Sequence, residues 1–263
     1  FSVLNATGKS QYFGAFIDQP IVRASQKNLT ARVGISYKDV TDDVGAFSLK
    51  NRRYISGIEV GAYGDWRDKL NGFNQLGLNI RVGNVNFGNA QAEQLDAATL
   101  DTAGGFTKFN LFASRIQPLF TNFTFTLNAE YQGAGQNLDS SEQFLIGGIN
   151  RWRAFAELPT STDLGLQLGA ELRYWSTGTN LAQMKNIGGL SPYVFVDYGS
   201  GTLNKDPLTS DNHVDSVHYG LGIDASVGKN WLMGLTVSRQ ERHIDGNPRE
   251  AETNVWGQVQ VEF

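Results

Sequence analysis

The chain has 263 residues, a formal net charge of −4, 18% charged residues, 30 glycines and no cysteine. Without cysteine there is no disulfide scaffold, thiolate metal site or Cys nucleophile, and a mildly acidic balance lacking any basic block argues against nucleic acid as a partner. No run approaches the ~18 consecutive apolar residues of a transmembrane helix, but the mean hydropathy of −0.30 is compatible with a membrane barrel, whose strands expose apolar groups only at every second position.

In chain order, the first residues Phe1-Ser2-Val3-Leu4-Asn5 lack a basic n-region and a long apolar core, so they read as a partial strand of a mature or trimmed chain. A strand through Tyr12–Asp18 follows, then a short connection at Ile21–Asn28. Leu29, Ala31, Val33, Ile35 and Tyr37 alternate with Thr30, Arg32, Gly34, Ser36 and Lys38, the period-two pattern of a strand with one apolar and one polar face. Val40–Arg52 reads as a long loop, Asp65–Gly72 as a shorter one, and Gly88–Gly104 as a long one. Phe120–Asn122 is a tight turn into the clearest strand, where Phe123, Phe125, Leu127, Ala129 and Tyr131 oppose Asn122, Thr124, Thr126, Asn128 and Glu130. After a very long loop at Gly133–Thr160, alternation returns at Leu164–Tyr174, with Gln167, Glu171 and Arg173 on the polar face. The connection Ser176–Gly189 is too long for its side of the barrel. Beyond the long loop Gly199–Asp215 come Val217–Val227, a tight turn at Gly228–Asn230, Trp231–Val237, a long loop at His243–Thr253, and a last strand through Val255, Gly257, Val259, Val261 and Phe263.

A soluble sandwich also alternates, but three features favour a membrane barrel. The runs are ~10 to 14 residues, near what a tilted strand needs to cross a bilayer, whereas soluble strands average ~5 to 6. Charges and amides stand mid-strand on the second face (Glu59, Arg81, Lys108, Glu130, Glu171, Arg173, Asp224), which suits a wet lumen. Short turns alternate with long loops, the pattern of periplasmic turns and external loops. Tyr12, Phe13, Tyr37, Tyr54, Tyr63, Trp66, Tyr174, Trp175, Tyr198 and Trp231 near strand ends form interfacial girdles. The expected fold is an all-β, transmembrane, antiparallel up-and-down barrel. It has eleven full strands and a partial one, about twelve in all. An open edge in lipid leaves unsatisfied amides, so the chain is expected to need further strands to close.

The segment Gly135-Gln136, Leu138, Ser140-Ser141-Glu142-Gln143-Phe144, Leu145-Ile146-Gly147-Gly148, then Arg151-Trp152-Arg153-Ala154-Phe155 resembles the sixth external loop of the two-partner secretion transporters, the hemolysin-activator group of a superfamily that includes the barrel-assembly insertases. Its Trp152-Arg153-Ala154-Phe155 departs from that family's Val-Arg-Gly-Phe/Tyr at the first and third positions. Gln19-Pro20-Ile21-Val22-Arg23, Glu171-Leu172-Arg173-Tyr174 and Phe195-Val196-Asp197-Tyr198-Gly199 resemble further family segments, in order from about residue 10 to 263. The resemblance implies the C-terminal part of a sixteen-stranded barrel, with POTRA domains and the first strands outside residues 1–263, and no cofactor. It implies an outer-membrane pore that exports an unfolded exoprotein. Its partners would be that client, outer-membrane lipid and the barrel-assembly machinery. It also implies that the loop, 135–160, folds into the lumen, where Arg153 pairs with Asp197 and gates or stabilises the pore. An insertase of the same superfamily and a passive small-solute porin remain alternatives.

Arg153 has a planar fork suited to a bidentate grip on Asp197, and Asp197 points inward if Val194 and Val196 face lipid. Gly147 and Gly148 read as turn glycines. Glu130 and Glu171 read as members of a luminal charge network with Arg173 and Arg81, ahead of a catalytic carboxylate pair. His213, His218 and His243 fall in or beside loops without ligand spacing, and Asp215, Ser216 and His218 are a weak local triad, so no enzymatic or metal site is expected. Phe263 is expected to be the true C-terminus and an assembly signal.

Overall fold

A computed structural model describes residues 6–44, 49–147, 160–176, 187–207, 209–228 and 230–262. Ten antiparallel pairings join β1 (Ala6–Ala24), β2 (Lys27–Val44), β3 (Leu49–Arg67), β4 (Phe73–Phe87), β5 (Gly104–Phe120), β6 (Phe123–Ala134), β9 (Leu164–Tyr174), β10 (Ile187–Thr202), β11 (His213–Val227), β12 (Trp231–Ile244) and β13 (Glu250–Val261) into one 11-stranded meander, in which each strand lies beside its predecessor. A separate two-stranded hairpin, β7 (Phe144–Ile146) with β8 (Thr160–Thr162), is inserted between β6 and β9. The chain is therefore all-β, with the up-and-down architecture of a transmembrane barrel.

Period-two patterning sets which way each side chain points. On β4, Leu76, Leu78, Ile80 and Val82 are exposed, while Arg81 between them is buried. On β10, Val194, Val196 and Tyr198 are exposed, and Tyr193, Phe195 and Asp197 are buried. A soluble protein would reverse this. An outside of Leu, Ile and Val with charges inside fits lipid around the sheet and a polar lumen within it. Tyr37 and Tyr54 stack on the outer face, 6.3 Å between centroids, as members of a girdle.

The strands reach 19 residues, well beyond the ~9 to 11 needed to span a bilayer. That length corrects one expected loop. Val40–Arg52 is largely strand, with Val40 opposite Arg53, Thr41 opposite Arg52 and Asp42 opposite Asn51. The polar residues that read as a loop are cross-strand pairs: Arg52 grips Asp39 through two hydrogen bonds (3.0 and 2.6 Å) and Arg53 bonds Asp42. Gly88–Gly104 also differs from a plain loop, because it carries a helix, α1 (Ala90–Ala97). Asn89 caps it by accepting from the Ala92 N–H at 2.8 Å, and Asp96 near its end accepts from Thr102 and Ala103.

At the opposite end the connections are tight. Between β3 and β4, the Asp68 carboxylate accepts from the Leu70 and Gly72 N–H groups and pairs with Arg115 of β5. The Arg115 guanidinium holds the Asp68 carboxyl at about 2. In sheet order β1 and β13 are the two edges. Neighbouring residues Tyr12 and Phe13 of β1, which point to opposite faces, are 66% and 73% exposed, so this edge lacks cover on either side.

Candidate functional site

The inward faces of β2 to β5 near the loop end carry four cations, Lys38, Arg53, Arg81 and Lys108, around an apolar patch of Val40, Ile55, Val85 and Phe106. The loop after β6 descends onto both. Its tip is a tight turn: the Asp139 side chain accepts from the Ser141 N–H (3.0 Å) and the Asp139 carbonyl from the Glu142 N–H (2.7 Å). The turn sends Leu138 into the apolar patch, where it is 1% exposed. Truncating it to Ala removes a buried isobutyl group and should cost the seated loop roughly 2 to 5 kcal/mol. Amide exchange at Ser141 and Glu142 should then quicken by at least tenfold, while exchange in β5 stays as it was.

Glu142, 2% exposed, receives three cations at once: Lys38 at 2.7 Å, Lys108 at 2.9 Å and Arg81 at 3.2 Å. Both lysines also donate to loop carbonyls, Lys38 to Ser141 and Lys108 to Glu142, each at 2.7 Å. Asp139 takes Arg53 at 2.9 Å. Burial works against the charge on Glu142, but Lys108, Lys38 and Arg81 outweigh it and hold its carboxyl below the ordinary glutamate range. Charges removed from water survive only when paired this closely. The latch therefore persists at neutral and mildly acid pH, and weakens only as pH falls through that lowered value.

Two further ties fix the loop. Asp163, just before β9, accepts from Leu138 N–H (3.2 Å), Gln143 Nε2 (2.9 Å) and Lys205 N–H (2.8 Å). Burial nevertheless pushes its carboxyl above the usual value. Asn137 donates to the carbonyls of Leu100 and Asp206 and accepts from the Asp206 N–H, joining three loops. The hairpin β7–β8 lies on a shelf of two glycines that face each other across the ladder, Gly165 of β9 and Gly201 of β10. A Cβ on Gly165 would stand 2.2 Å from the Phe144 ring, and one on Gly201 2.6 Å from Ile146. Below the loop a cavity of about 620 Å³ remains, lined among others by Arg32, Glu59, Lys108, Asn110, Glu130 and Phe144.

The site residues expected from the sequence are distributed as follows. Asp197 points inward on β10 and is 6% exposed, with Gly169 and His218 as its ladder partners. Gly147 ends the hairpin strand at φ 91°, a turn conformation that suits glycine. Gly148, Trp152, Arg153, Ala154, Phe155 and Phe263 lie outside the described residues. Arg173 joins Glu171 (2.7 Å) to Asp224 (2.5 Å) and stacks over Tyr193 at 4.3 Å. Arg81 belongs to the separate Glu142 cluster, so the charges form two networks instead of one; Glu130 lines the cavity. His218, expected beside a loop, is mid-strand on β11, fully buried and edge-on to Phe195 at 5.7 Å. Ser216 shares its inward face, but Asp215 points the other way and pairs with Arg249, so no local triad assembles.

The loop seated in a polar lumen invites comparison with known proteins. The family model described as haemolysin secretion/activation protein ShlB/FhaC/HecB matches residues 1–225. The chain belongs to this family. Relatives include the heme/hemopexin transporter protein HuxB of Haemophilus influenzae strain KW20/Rd, 24% identical over 256 residues, covering 96% of this chain and 44% of HuxB. The HuxB of strain 86-028NP is likewise 24% identical, over 250 residues, with 93% and 43% covered. Among solved structures, CdiB from Escherichia coli superposes with a TM-score of 0.74 at 16% identity, covering 97% of this chain and 46% of that one. CdiB from Acinetobacter baumannii gives 0.67 at 15% identity, covering 97% and 42%. These structures share the fold. The chain spans less than half the length of each of these relatives.

Proposed function

We propose that the chain is the barrel portion of an outer-membrane transporter that exports an unfolded exoprotein through its polar lumen, the transporter half of a two-partner secretion pair. The observation that carries this reading is the acidic loop seated among luminal cations, in a chain of the haemolysin secretion/activation family. A small-solute porin needs only a fixed constriction. A loop held by ion pairs to four strands can be seated or released as a unit, as a translocating chain requires. In the whole protein, strands outside residues 1–263 pair with β1 and β13 to close the barrel, POTRA domains engage the client, and the barrel-assembly machinery inserts the product.

Arg153 pairs with Asp197 in this proposal. The inward direction of Asp197 on β10 supports it, because its carboxylate stands on the luminal face. Arg153→Ala and Asp197→Ala should each lower export with the barrel still inserted, and the double variant should be no worse than the worse single. Strictly additive losses would mean that the two act independently.

The test of function is export itself. Cells making the full-length protein and its exoprotein should release that exoprotein, and a null strain should retain it. Unchanged release from the null strain would overturn the reading. Loss of other outer-membrane barrels in that strain would favour an insertase instead.

A further inference from the structure

We infer that the cationic cradle of Lys38, Arg81 and Lys108 is a binding site for an acidic turn of the exported polypeptide, and that the chain's own Asp139–Glu142 turn occupies it in cis at rest. This rests on the export reading and adds which chemistry of the client the lumen recognises.

The cradle has the features of a peptide site. Two of its lysines each reach a carboxylate and a backbone carbonyl together: Lys38 takes Glu142 Oε1 and the Ser141 carbonyl, and Lys108 takes Glu142 Oε2 and the Glu142 carbonyl. Gln132 of β6 adds a second donor to that last carbonyl at 3.3 Å. Arg81, hydrogen-bonded to Ser36 at 2.5 Å, completes the carboxylate contacts. None of these groups reads a side chain other than the acid. Backbone carbonyls are common to every polypeptide, so any acidic turn of similar shape offers the same acceptors.

The charge balance says what must follow release. Glu142 and Asp139 supply the loop's negative charge to Lys38, Arg81, Lys108 and Arg53. If the loop withdraws, Lys38, Arg81 and Lys108 lose their carboxylate on one wall, beside the luminal cavity, while Arg53 keeps Asp42. The released cations are hydrated, and an incoming carboxylate regains the charge-assisted contacts that Glu142 gave up. An acidic client segment therefore favours the open loop, and departure of the segment lets Glu142 return. The loop acts as a tethered competitor.

The test uses full-length protein in planar bilayers with a free nonapeptide of the sequence Gln136–Phe144 as probe, against the same peptide carrying Gln for its Glu. In Glu142→Gln protein, where the tethered competitor has lost its charge, the acidic peptide should block conductance. The Gln-containing peptide, which keeps only its Asp, should need roughly tenfold more or greater, the usual worth of a charge-assisted contact. Wild-type protein should also need about tenfold more acidic peptide than the Glu142→Gln variant, and the Lys38→Gln/Lys108→Gln variant should lose the preference for acid. Equal block by both peptides, or an acid preference that survives loss of both lysines, overturns the inference. No client is present in the bilayer, so failure of the export reading would appear separately, as the unchanged release from a null strain described above.

Discussion

Glu142→Ala should unseat the loop and open the pore. The substitution leaves Lys38, Arg81 and Lys108 facing one another with no anion between them, and all four side chains are well shielded, from 2% exposed at Glu142 to 20% at Lys38. Removing one partner of such a buried cluster costs roughly 3 to 5 kcal/mol. Most of that cost falls on the seated state alone, because in the released state the three cations regain water. A loop seated tenfold to a hundredfold in favour, about 1.4 to 2.7 kcal/mol, would then be mostly released. Single-channel conductance should rise from rare, brief openings to a sustained open level, with heat-modifiable migration on a gel unchanged because the 11-stranded ladder is untouched. Wild-type protein should show the same change only at pH low enough to protonate Glu142, below the ordinary glutamate range. A closed pore in Glu142→Ala would show that the Arg53, Leu138 and Asp163 ties hold the loop alone.

The second large effect is steric. Gly165→Val places side-chain carbon where the Phe144 ring lies, 2.2 Å from the added Cβ, and Gly201→Val does the same to Ile146 at 2.6 Å. Atoms cannot share that space, so either the hairpin β7–β8 lifts off or the wall bends, at a cost of about 1 to 3 kcal/mol for each site. Because the two glycines face each other across the β9–β10 ladder, the double variant should lose the hairpin altogether. A protease site introduced at Thr162, fully buried in the parent, should then be cut in intact cells. Protection retained in the double variant would mean that the hairpin tolerates a raised shelf.

Much of the sheet was legible because lipid and lumen impose opposite solvents on alternate residues. Asn122–Tyr131 reads as a strand with a polar inner face, and the structure directs Thr124, Asn128 and Glu130 inward as that pattern requires. The direction of Asp197 followed from Val194 and Val196 by the same rule. Strand ends were less legible, since beyond the bilayer the pattern no longer separates strand from loop: Thr41, Asp42 and Asp43 look like loop residues until Arg52, Asn51 and Lys50 stand opposite them, with Arg53 paired to Asp42 and Arg52 to Asp39. Helix α1 left a faint signal, Asn89 followed by Ala90-Gln91-Ala92-Glu93, good helix formers after a capping residue. The Glu142 cluster was illegible as a site. Its cations stand on three strands far apart in sequence, and only closure of the sheet brings Lys38, Arg81 and Lys108 to one point. The available signal was an inward cation on each of those strands, Lys38 sharing its face with Arg32.

The central claim, that a polypeptide crosses through the polar lumen, is tested most directly by site-specific photocrosslinking during export by the full-length protein. A photoreactive residue at Asn110 or Glu130, which line the luminal cavity, should form adducts with the exoprotein in transit. The same residue at Ile80 or Val82, exposed on the outer face of the neighbouring strand β4, should not. Adducts at Ile80 or Val82, with none at Asn110 or Glu130 while export proceeds, would contradict the account.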